Sequence, residues 1–123
     1  MLNKIDYTLI LAEAHGAAEQ AVAKLGPENL HAADCGFAWV TISGTSPLAG
    51  WCRQQVKVAE ELGDKSYEIR HYFGSRGYPK GWQFWKPGGF NGQAIGHHIA
   101  GARAFNEVLA RHNIVGELGS RYD

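Results

Sequence analysis

The residues of this chain best suited to chemistry lie in one run, Gly77 to Gly92, which reads GYPKGWQFWKPGGFNG. Trp82, Phe84 and Trp85 fall within four positions, with Lys80 and Lys86 on either side. Such rings stack on planar ligands or plug apolar pockets, and basic side chains neutralise phosphate or carboxylate. Arg76, Lys80 and Lys86 are placed to supply charge. Asn91 and Gln93 are placed to hydrogen-bond a base or a backbone. The expected ligand-binding set is therefore Trp82, Phe84, Trp85, Arg76, Lys80, Lys86, Asn91 and Gln93.

Other candidates carry less. Gly88 to Gln93 is a glycine-rich loop leading into a helix, where free backbone N–H groups can hold an anion. It matches neither the dinucleotide fingerprint nor the P-loop. His97 and His98 are adjacent, so on a helix they point apart and cannot chelate one metal as an i, i+4 pair does. His71 and Asp34 could join one of them only by an accident of the fold, whereas zinc needs three or four converging ligands. His71, His97 or His98 as a general base is the enzymatic alternative. Cys52 falls on the inner face of a helix, where a thiol is inert; Cys35 sits beside Asp34 with no histidine close in sequence. Ser43 and Ser46 read as turn and cap residues. No catalytic residue, metal ligand or cofactor is expected, and a non-enzyme is favoured.

The elements that must position the run follow from periodicity and punctuation. A helix is expected from about Asn3, its N-cap, to Leu25, with an alanine-rich stripe and a stop at Gly26-Pro27. Glu28 to Gly36 is a polar loop. Phe37 to Ile42 is a strand with Ala38, Val40 and Ile42 on one face and Phe37, Trp39 and Thr41 on the other. Ser46 and Pro47 start a second helix that runs to about Leu62. Tyr67 to Phe73 alternates as a strand, Trp82 to Trp85 is the next strand, a third helix spans about Ile95 to His112, and Ile114 to Leu118 is a last short strand. After the first helix the order is β-α-β-β-α-β. That is the split βαβ, or ferredoxin-like, pattern: an α+β fold with a four-stranded antiparallel sheet and helices on one face. In that arrangement the first and third strands are neighbours, so Phe37, Trp39, Trp82 and Phe84 are expected to form an aromatic platform on the helix-free face. The first helix could lie beside the others, cross that face, or pair with another subunit.

The chain has 123 residues, 45% of them hydrophobic, and is read as one domain, residues 1–26 the helix and 36–123 the β-α-β-β-α-β unit. Twelve basic residues balance twelve acidic ones, so no overall affinity for polyanions is written in the charge. Two cysteines without metal spacing point to buried thiols in a reducing compartment. No membrane span or signal peptide is expected.

Four segments then carry a likeness: Cys35-Gly36-Phe37-Ala38-Trp39-Val40, Gly81 to Gly89, Gly101-Ala102-Arg103-Ala104-Phe105, and Gly119-Ser120-Arg121-Tyr122-Asp123. Together, from about Gly36 to the C-terminus, they resemble small uncharacterised accessory proteins of bacteriophages and prophages. The resemblance implies a protein acting in the bacterial host cytoplasm, and such proteins often antagonise host defence by plugging a host protein or sequestering a nucleotide signal. It implies no role for any residue. The leading expectation is a non-catalytic, homo-oligomeric binding protein whose partner is a small nucleotide signal or a host defence protein. The alternatives are a single-stranded nucleic-acid binder using the sheet face, or a small nucleotide-processing enzyme.

Overall fold

A computed structural model describes residues 5–28, 34–78 and 80–122. Its first element is α1, Tyr7–Leu25. Asp6 caps it, its Oδ1 accepting the Leu9 N–H at 3.3 Å. The expected cap, Asn3, lies outside the described residues, as does 29–33 of the expected polar loop. The helix ends at Gly26, whose φ of 70° a side chain would resist. Its buried stripe is Ile10, Leu11, Ala14, His15 and Ala18, and the small residues let it lie close along α4, Ile95–Arg111.

Strand β1, Gly36–Ile42, alternates strictly between buried and half-buried positions. Helix α2, Pro47–Glu61, is capped by Ser46, whose Oγ accepts the Ala49 N–H at 3.3 Å. Leu48, Ala49 and Cys52 are buried; the second half of α2 stands in water.

Tyr67–Phe73 is a helix, α3, and not the expected strand. The alternation of apolar and polar residues there is too short to separate period 2 from period 3.6. End signals decide it: Ser66 at the N-cap, Glu68 in the first turn, Arg70 and His71 in the last, and Gly74 after it. The strand role passes to a two-residue β2, Ser75–Arg76. Strand β3, Trp82–Trp85, keeps its expected bounds, while β4 runs Gly116–Tyr122, later and longer than Ile114 to Leu118.

The four strands form one antiparallel sheet in the order β2-β3-β1-β4. The register sets Trp39 against Trp85, Val40 against Phe84 and Ile42 against Trp82. Residues directly opposite share a face. Ala38, Val40, Ile42, Trp82 and Phe84 therefore point together into a core completed by α1, α2 and α4, with Leu11, Leu48, Phe105 and Leu109 among its fully buried members. Phe84 meets Phe105 of α4 at 4.8 Å between centroids. Among the described residues the fold is α+β: four helices and an open four-stranded antiparallel sheet.

Candidate functional site

The other face of the sheet carries Phe37, Trp39 and Thr41 from β1, Gln83 and Trp85 from β3, and Glu117, Gly119 and Arg121 from β4. None belongs to the core cluster. The Trp39 and Trp85 indoles are stacked, 5.4 Å apart at 21°, and Phe37 leans on Trp85 at 5.5 Å. All three rings are half-buried. The Trp39 ring sits over Gly119 of β4, where any Cβ would collide with the indole. Glycine at 119 is thus the condition for this ring position. Arg121, opposite Phe37, is exposed and brings a cation to the rim.

Lys86 joins this face to a second feature. Its Nζ lies 5.9 Å above the Phe37 ring. Its backbone is left-handed, φ 48°, which costs a side-chain-bearing residue about 1 kcal/mol or more. Three bonds hold it there: Lys86 N–H to Ala38 O at 3.1 Å, and Lys86 O accepting from Gly89 N–H at 3.1 Å and from His71 Nε2 at 3.0 Å. Beside it a cleft of about 430 Å³ opens between α3 and the 86–91 loop, lined by Tyr67, Glu68, His71, Tyr72, Lys86, Gly89 and Asn91.

The expected ligand-binding residues are therefore split. Trp85, Lys86 and Asn91 reach the open face or the adjoining cleft. Trp82 and Phe84 do not: they are 8% and 0% exposed and belong to the core, which corrects their place in the platform. With a period of two, a one-residue slip in pairing exchanges the faces. Trp82 is held further by its Nε1–H donated to Phe73 O at 2.7 Å. Arg76 is exposed on the edge strand β2, and Lys80 lines a separate 560 Å³ recess with Ser43, Gly44 and Thr45. Gln93 accepts from the Cys35 thiol at 3.5 Å. The indole of Trp39 and the cation of Arg121 complete the face. The alternation of β1 already flagged Trp39; nothing local flagged Arg121.

The glycine-rich loop does not leave the start of α4 open to an outside anion. Glu28, more than 60 residues away, accepts the Gln93 and Ala94 N–H groups on Oε2 at 3.1 and 2.8 Å. A carboxylate of this chain fills the place an anion would take.

Four of the described histidines are committed to backbone carbonyls, while His112 bonds the Glu13 carboxylate at 2.9 Å. Nε2 of His15 bonds Tyr72 O at 2.8 Å, and His71 bonds Lys86 O as above. His97 bonds Gly26 O at 2.7 Å and His98 bonds Gly92 O at 2.9 Å. A carbonyl only accepts, so each ring donates from Nε2. Burial holds His15 in its neutral form down to about pH 4 and lowers the pKa of His98 in the same direction. His15 also stacks on Tyr72 at 4.4 Å, tying α1 to α3. Cys52 is buried, its pKa raised to about 12 by loss of solvent, while Cys35 is exposed. Among the described residues no group of three or more His, Cys, Asp or Glu is placed to share a metal ion, and no helix is long and apolar enough to cross a membrane. Compared with protein-family models, curated proteins and solved structures, the chain matches none.

Proposed function

We propose that the chain is a non-catalytic binding protein that holds a planar, anionic ligand of the nucleotide class on the outer face of its sheet. The observation that carries this reading is the stacked Trp39–Trp85 pair, half-buried and outside the core cluster. A base laid on such a pair gains roughly 1–3 kcal/mol from stacking. Lys86 and Arg121 stand at the rim for a phosphate, and Gln83 and Thr41 offer hydrogen bonds within the same face. The four histidines bonded to carbonyls favour binding over acid–base catalysis. The sheet order supports a finer description of the fold, a split β-α-β-β-α-β unit to which α1 and α3 are added. The resemblance to phage accessory proteins gives the role a setting: sequestration of a nucleotide signal in a bacterial host, against a defence system.

The test is a titration of the full chain with linear and cyclic mono- and dinucleotides and with a short single-stranded oligonucleotide, followed by intrinsic tryptophan fluorescence. Binding of a small nucleotide that Trp39→Ala abolishes and Lys86→Ala weakens roughly tenfold supports the reading. Tighter binding of the oligonucleotide, rising with its length, moves the assignment to single-stranded nucleic acid. No quenching by any of them rejects both.

A further inference from the structure

Strand β4 closes one edge of the sheet, with β1 on its inner side and no strand outside it among the described residues. It is seven residues long, Gly116–Tyr122, and mostly exposed. Edge strands are ordinarily blunted by proline, lysine, a bulge or shortness. The opposite edge, β2, is protected by having only two residues. β4 has no proline, lysine or bulge and is not short; its only charges are Glu117 and Arg121, and it adds exposed apolar side chains: Val115 just before it at 84%, Leu118 at 41% and Tyr122 at 69%.

Its charges are symmetric. Glu117 and Arg121 lie on the same face, two residues before and two after Gly119. We propose that β4 is a self-complementary docking strand for a second copy of this chain. Two copies pair their β4 edges antiparallel about a two-fold axis at Gly119, and their sheets join into one. In that register Glu117 faces the second copy's Arg121 and Arg121 its Glu117, so one interface holds two cross-strand ion pairs. Shifting the axis by one residue either way removes both pairs. On the helix side Leu118 lies diagonal to the second Leu118 and to the second Tyr122, within reach of apolar contact. Directly across from the second Tyr122 stands Gly116. Beside Gly116 is an open recess of about 360 Å³, lined by Asn106, Ala110, Asn113, Ile114 and Val115, which suits a phenol ring. A net charge of zero leaves no long-range repulsion between copies. The pairing stands on β4 alone and does not depend on what the aromatic face binds, though it sets the two Trp39 rings side by side over the axis.

Sedimentation of the full chain across a concentration series tests this. A reversible dimer is expected. Glu117→Arg and Arg121→Glu each turn two attractions into repulsions and weaken it roughly tenfold or more. The double variant Glu117→Arg/Arg121→Glu restores the pairs and returns the dissociation constant close to its starting value. A monomer at every concentration, single reversals without effect, or a double variant no better than the singles overturns the proposal. A second variant removes the ambiguity of a weak dimer. In a Cys35→Ser background, Glu117→Cys/Arg121→Cys sets two thiols about 13 Å apart within one strand, beyond disulfide reach, so any bond between them links two chains. With an added mild oxidant, a covalent dimer on a non-reducing gel supports the register, and a monomer band alone contradicts it.

Discussion

Trp82 and Trp85 belong to the same four-residue strand and face opposite ways. Trp82 is 8% exposed, its indole N–H is bonded to Phe73, and it packs with Phe84 and Ile42 under the helices. Trp85 is half-buried and packs between Trp39 and Phe37. The inner face is made of aliphatic and aromatic side chains closed by three helices. The outer face is made of rings with cations at the rim. One strand thus builds the core with its even-numbered residues and the outer face with its odd-numbered ones.

The contrast can be broken most strongly from the inside. Phe84→Ala opens a cavity against Phe105 in a fully buried site and is expected to cost about 3–5 kcal/mol of folding free energy, read from a denaturant midpoint. Acid comes next. An unfolded histidine takes a proton near pH 6.5, whereas folded His15 resists until about pH 4. The unfolded chain therefore binds more protons in that window. The stability present above pH 6.5 falls by up to about 3 kcal/mol as pH drops through it. His98, shifted the same way, adds to the fall. Chemical denaturation at pH 7 and pH 4.5 measures it, and His15→Gln flattens the slope. Trp85→Ala removes two ring contacts, with Trp39 and with Phe37, for about 1–3 kcal/mol of stability. It is also expected to abolish ligand quenching, which none of the other changes targets. Glu28→Ala removes the carboxylate that caps α4 from a distance, for about 1 kcal/mol by chemical denaturation.

How far all this was legible is uneven, for physical reasons. Helix α2 reads well from its Ser46 cap and the glycine at 63, and α4 from its apolar stripe and the Asn113 that follows it, so both fall within a residue of expectation. The strict alternation of β1 gave both of its faces correctly. Tyr67–Phe73 misled because seven residues fit either period, and only the signals at its ends, Ser66, the charges and Gly74, favour a helix. The platform was half right. Trp39 and Phe37 were placed on the outer face, but the partners drawn from β3 were Trp82 and Phe84 instead of Trp85. Composition cannot decide that choice, since pairing register depends on how the 86–93 loop returns past β1, through Lys86 N–H to Ala38 O and Gly36 N–H to Gln93 O. The Glu28 cap was out of reach for the same reason: its partners are 65 and 66 residues away.

The chain has four tryptophans, Trp39, Trp51, Trp82 and Trp85, and each indole N–H gives its own signal in a proton–nitrogen NMR spectrum. Adding the nucleotide that quenches fluorescence should shift the Trp39 and Trp85 signals and leave those of Trp51 and Trp82 in place. Shifts confined to Trp51 and Trp82, or four unmoved signals with ligand bound, would contradict recognition by the outer face.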